Sequence, residues 1–313
     1  LHLSIRRQRQ MCIRDRYNTG VRSAKMKKLI ILSLCSLYCL ILSGCGQNNN
    51  EDLNRFKQHL SKVETKQKSV EKVMNQLELN RLNDISKTDT TDKNKKSFER
   101  LQKNINHRLV LEFKEYEKEA KHLPAKTNKT RQLKKDYLNH VSKQHQSINE
   151  IKSFVDLYNQ SVVENEKILN YTHSFEINRA LVEKDIRKTN NQENAHLLKS
   201  KIENNNRNLR KTAQKYLEKD NYPTSKAINE HIKPLIQKQI KDLNQTNITD
   251  SHVNNARKNA IEMYYNLLNY YETRETTIKI EDQLSKINVE KLPKTGKDLS
   301  KGNHNFKTKL EKV

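Results

Sequence analysis

Between Gly46 and Gly296 the chain contains no glycine at all. Hairpins and tight turns use glycine for positive φ, so a β-rich fold is excluded over that run. With 33% hydrophobic and 31% charged residues and a mean hydropathy of -1.02, the chain is too polar for a thick core. The expected class is all-α: an elongated helical bundle of long, coiled-coil-like helices with disordered N- and C-terminal tails.

The apolar spacing supports that class. Leu53, Phe56, Leu60, Val63, Val70, Met74 and Leu77 step by three and four, with a single polar gap at Gln67. That is the seam of a bundle helix. Residues 86–96, SKTDTTDKNKK, carry no apolar side chain and read as a loop. A second helix is expected through Phe98, Leu101, Ile105, Leu109, Phe113 and Tyr116, stopping near Pro124.

The third helix shows the most regular pattern. Its heptad runs Tyr137, Val141, Gln144, Ile148, Ile151, Val155, Tyr158, Val162, Asn165, Leu169 and Thr172. Gln144 and Asn165 occupy seam positions, where a polar side chain either fixes register or weakens packing. Leu181, Leu198, Ile202, Leu209, Ala213 and Tyr216 continue the helical pattern, with a break in KTNNQEN. Pro223 interrupts it again, leaving Thr224 or Ser225 as the next cap, and Pro234 predicts a kink. The last long helix opens after Thr249, Asp250 or Ser251.

Upstream, Met26 starts a run of two lysines, an apolar stretch from Leu29 to about Leu42, and a small-residue site. This is a secretory signal, too short for a membrane span. Leu42, Ser43, Gly44 and Cys45 resemble a bacterial lipobox. That resemblance implies recognition of Leu42, Ser43 and Gly44 by signal peptidase II and diacylglycerol on the Cys45 sulfur. The alternative is a plain signal peptide with an incidental cysteine. Residues 1–25 resemble translated adaptor sequence and are set aside, with Met26 as the expected start. The expected organisation is therefore 1–25 extension, 26–44 signal peptide, 45–52 polar lipidated tether, 53–290 helical domain and 291–313 disordered basic tail.

All four cysteines lie at or before Cys45, so the body has no disulfide or thiol site. No metalloprotease, P-loop or nucleophile-elbow spacing occurs, and the histidines are scattered. No cofactor, metal or enzymatic activity is expected. The net charge is +24 for the whole chain and +16 from Cys45 onward. For an exported protein this points to teichoic acid phosphates, peptidoglycan or lipid headgroups, not nucleic acid; the alternative is a basic surface with no specific partner.

The last helix holds the densest apolar patch, with Ile261, Met263, Tyr264, Tyr265, Leu267, Leu268, Tyr270 and Tyr271. Such a helix is either buried among several others or, through Tyr264, Tyr265, Tyr270 and Tyr271, a glycan- or partner-binding face. Glu262-Met263-Tyr264-Tyr265, late in a lysine- and asparagine-rich helical chain behind an LSGC lipobox, resembles the EMYY-motif lipoproteins of staphylococci. More distantly the chain is similar to the YkyA-like family of cell-wall-binding lipoproteins. The resemblance implies a helical, membrane-tethered protein without an assigned enzymatic activity.

Leu292-Pro293-Lys294-Thr295-Gly296 matches the pentapeptide that sortases cut. A sortase substrate also needs an apolar span of about 20 residues behind it, and residues 297–313 contain none. The pentapeptide is therefore expected to act as a helix stop. Taken together, the sequence points to a lipid-anchored protein on the extracellular face of the cell membrane that binds wall polymer. The alternative is an interaction or chaperone-like subunit of a membrane complex, docking through the tyrosine-rich helix to an unknown protein.

Overall fold

A computed structural model describes residues 45–77, 79, 92–217, 223–294 and 305–311. The expected signal segment, with Leu42, Ser43 and Gly44, lies outside the described residues. Among the described residues all regular structure is helical. The α-helices are α1 (Cys45–Gln76), α2 (Asp92–Asn104), α3 (Val110–Lys121), α4 (Asn128–Lys188), α5 (Gln192–Tyr216), α6 (Thr224–Ala227), α7 (Lys233–Gln245) and α8 (Ser251–Ser285).

Two π-helical turns, Ile105–Leu109 and Ile228–Ile232, join α2 to α3 and α6 to α7. Each closes with an i to i−5 bond, from Val110 N–H to the Ile105 carbonyl and from Lys233 N–H to the Ile228 carbonyl. The apolar spacing explains both. Ile105, Leu109 and Phe113 are separated by steps of four, as are Ile228, Ile232, Ile236 and Ile240, and all are buried. In a regular α-helix each step of four rotates the stripe by about 40°; a wider π-turn absorbs that rotation and keeps the stripe on one face. The second turn precedes Pro234, where a simple kink was expected.

The buried side chains form two clusters. The first takes Phe56, Phe98, Leu109, Tyr116 and Ile148 from α1 to α3 and the first half of α4. The second takes Val182, Leu198, Ile236, Ala260 and Tyr264 from the end of α4 with α5, α7 and α8. Each such large apolar side chain contributes about 1.5–3 kcal/mol by leaving water. Among the described residues every buried side chain lies at Asp52 or beyond, so residues 46–313 contain the described side chains of both cores.

α8 runs antiparallel to α4. Near its start Asn259 Nδ2 donates to Asp185 Oδ2 at 3.2 Å, and Ile287, just past its end, lies beside His145. α4 spans 61 residues, about 90 Å. Between Val162 and Val182 none of its residues is buried. Over that stretch, residues 163–181, α4 packs against α8, with α2 reaching its start through Lys95 and Glu166 at 2.7 Å and α5 meeting its end at Phe175 and Arg179. The expected heptad fails there: Leu169 is 68% exposed, and Asn165 and Thr172 are exposed too. An ideal helix drifts about 20° per heptad from a 3.5-residue repeat, so a strict heptad stripe does not stay on one face over this length.

The two halves repeat one plan. Buried Ile105, Leu109, Phe113, Tyr116 and Ala120 before the cap Thr127 recur as Ile228, Ile232, Ile236, Gln239 and Leu243 before the cap Asp250. α1 supplies Asp52, whose Oδ2 accepts from the N–H groups of Lys126 (3.0 Å) and Thr127 (2.9 Å). α5 supplies Asn194, whose Oδ1 accepts from the N–H groups of Thr249 (2.8 Å) and Asp250 (3.0 Å). In each half a leading helix therefore locks the turn that starts the long helix. The far ends also correspond: Lys309 bonds Asp136 at one end and Asn259 bonds Asp185 at the other.

Several expectations are corrected. The polar segment 45–52 is helical, and Asp52 is buried, because its carboxylate is needed at the α4 turn. Asp92–Lys96 belong to α2, not to a loop. Pro223, not Thr224 or Ser225, takes the cap position of α6, without a side-chain bond. α8 stops at Ser285, well before the pentapeptide; Val289–Lys294 form a 3₁₀ turn with Leu292 buried in the first core. Residues 305–311 of the expected disordered tail are helical, and Phe306 is buried with its ring 4.8 Å from Tyr137.

Candidate functional site

Cys45 is the first residue of α1. The bonds from Asp52 place that end of α1 beside the start of α4, so the expected lipid attachment lies at one pole of the rod. Burial alone would raise the Asp52 carboxyl; bonds from the Thr130 hydroxyl and the Thr127 and Lys126 N–H groups outweigh it and hold the pKa at about 2.

The four tyrosines singled out in α8 do not form one surface patch. Tyr264 is fully buried and its hydroxyl donates to Asn206 Oδ1 at 2.9 Å; burial pushes its pKa up. Tyr265 points outward and is 44% exposed. Tyr270 and Tyr271 are half-buried and meet edge to face at 5.1 Å.

Met263 instead lines a groove of about 590 Å³ between α4, α5 and α8, and Tyr264 holds its lining residue Asn206. Its floor is apolar: Phe175, Val182, Ile186, Ile202 and Met263. Its rim carries the cations Arg179, Arg187, Lys199 and Arg210 and the acids Glu183 and Glu203. Arg179 pairs with Glu176 at 2.7 Å and approaches Glu183 at 4.0 Å, as does Arg187. No described carboxylate pairs with Lys199 or Arg210. Asn206 lines the groove, and with its Oδ1 taken by Tyr264 its amide N–H groups remain for a ligand.

The comparison between halves isolates what is special here. The position of Tyr264 in the second half corresponds to Val141 in the first, also buried, and that of Met263 to His140. A plain valine satisfies the packing, so the Tyr264 hydroxyl and its hold on Asn206 are additions to the shared plan. Sequence reasoning saw the motif but not the groove, since Asn206, Val182 and Lys199 come from helices far apart in the chain.

The family model for EMYY-motif containing lipoproteins matches residues 26–313. The chain belongs to this family. The EMYY segment thus sits at the groove wall: Glu262 exposed, Met263 in the floor, Tyr264 beneath Asn206 and Tyr265 on the outside. As a lipoprotein the EMYY protein associates with the membrane through a lipid anchor. Among the described residues no helix is long and apolar enough to cross a membrane, and no group of His, Cys, Asp or Glu converges as a metal site. No curated protein and no solved structure matches the chain.

Proposed function

We propose that this lipoprotein is a non-enzymatic rod on the extracellular face of the membrane, held by diacylglycerol on Cys45, whose basic surface binds anionic wall polymer such as teichoic acid or peptidoglycan. The supporting observation is the placement of Cys45 at one pole of a body that carries a net charge of +16 from that residue onward. From the level of Thr130 to Val182, α4 extends about 80 Å, so the second core stands well clear of an anchor at that pole. Some exposed acids are paired with a lysine or arginine nearby on the chain, as in Arg55–Glu51 and Lys286–Asp282, and the net excess of sixteen cations remains for external anions. Docking of a protein through the tyrosine-rich helix has less support, since only Tyr265 of the four is exposed.

Sedimentation of residues 46–313 with purified cell walls tests the reading. Binding is expected to fall on removal of teichoic acid and at high salt, because exposed charges are screened within about 8 Å at physiological ionic strength. Wall-independent behaviour at every salt concentration would refute it. A hydrolytic activity abolished by one carboxylate substitution would refute the non-enzymatic role.

A further inference from the structure

We infer that the groove between α4, α5 and α8 binds an anionic amphiphile: a single acyl chain bearing a phosphate or carboxylate head.

The size fits, since small-molecule sites occupy about 300–1,000 Å³ and in helical proteins form between helices; this one measures about 590 Å³. The chemistry divides cleanly. Val182, Ile186 and Met263 close the bottom of the floor, at 5%, 8% and 2% exposure, and half-buried Phe175 and Ile202 present its accessible apolar surface. A volume of about 590 Å³ holds a single acyl chain, whereas an amphipathic helix, about 10–12 Å across with its side chains, overfills it. Above the floor, four cations face two carboxylates. Arg179 and Arg187 are engaged by glutamates, which leaves Lys199 and Arg210 to meet a negative head.

The Asn206 amide supplies a directed donor between them, and its orientation is fixed by the Tyr264 hydroxyl at 2.9 Å. Because the equivalent buried position in the first half is Val141, the tyrosine is not demanded by packing. In this view the first tyrosine of the EMYY motif, Tyr264, is a positioning residue and Met263 a contact residue for the chain. The proposal does not depend on wall binding, and its readout is separate from sedimentation with walls.

Isothermal titration of residues 46–313, which contain the described side chains of both cores, with dodecyl phosphate below its micellar concentration tests it. One saturable site is expected, with at least tenfold weaker binding of 1-dodecanol and of inorganic phosphate. The exposed double variant Lys199→Glu/Arg210→Glu should weaken dodecyl phosphate at least tenfold while leaving the thermal transition in place. Tyr264→Phe should weaken it severalfold without a matching loss for 1-dodecanol. Val182→Trp, which fills the floor, should remove binding of both.

Absence of a saturable site would overturn the proposal. So would undiminished binding to the double variant, equal binding of inorganic phosphate, or tighter binding of an acidic amphipathic helical peptide at the same groove.

Discussion

Asp52 and Thr127 lie 75 residues apart, and the Asp52 carboxylate accepts the Thr127 backbone N–H at 2.9 Å, closing the first turn of α4 from outside. The Asp52→Ala variant should lose about 1.5–3 kcal/mol of stability, the value of hydrogen bonds to a charged acceptor, measured by urea unfolding near neutral pH.

The same group gives a pH signature. Its folded pKa of about 2 lies below the ordinary 3.8, so the unfolded chain takes up the proton first. Its contribution is complete above about 3.8 and is lost as pH falls from there toward 2. Asp52→Asn should flatten the pH dependence in that window, as read from unfolding midpoints at several acidic pH values.

A second titration belongs to His140. Burial, then the neighbouring Lys143, lowers its pKa below 6.5, and its Nε2 accepts from Gln144 Nε2 at 2.9 Å. Stability should therefore be independent of His140 above pH 6.5 and fall as the pH drops below that value. An NMR titration of the His140 ring should give a midpoint under 6.5; a midpoint above it would contradict this arrangement.

Gln144 also accepts from the buried Tyr116 hydroxyl at 3.1 Å, which lies 3.2 Å from the Tyr137 hydroxyl. Gln144→Leu should cost about 1–3 kcal/mol by leaving a buried hydroxyl short of a partner. Combining it with Tyr116→Phe should cost less than the sum of the two, a coupling that a double-mutant cycle measures directly.

Phe306 is 8% exposed against Tyr137 in the first core. Phe306→Ala should lower stability by about 2–4 kcal/mol, somewhat under the usual range for a core phenylalanine because the helix carrying it is short. Circular dichroism melts of the variant and of a chain ending at Lys301 should show similar shifts.

Much of this fold is written in local spacing. α1 follows its three-four pattern from Leu53 to Met74, with Leu77 buried just past its end, and Gln67 fills the expected gap as a buried side chain bonded to Glu71. The steps of four at Ile105, Leu109 and Phe113, and again from Ile228 to Ile240, also announced the π-turns, but a regular helix was assumed for both. Asp52 escaped because its polar neighbours suggest a tether, while its partners lie on another helix. The repeat between halves escaped because its equivalent positions hold different residues: Asp52 against Asn194, Val141 against Tyr264. Burial pattern and hydrogen-bond role are shared there, and chemical identity is not. The groove depends on three helices meeting, which no local window contains.

Among the described helices, α4 and α8 are the two that contribute side chains to both cores. Tension or compression along the long axis therefore passes through two continuous hydrogen-bond ladders, with no turn between the cores to unfold first. Lys95 ties α2 to Glu166 where α4 leaves the first core, and Phe175 meets α5 where α4 enters the second. The span is braced at both ends, so a load taken up in one core is handed to the other along the stiffest path in the molecule.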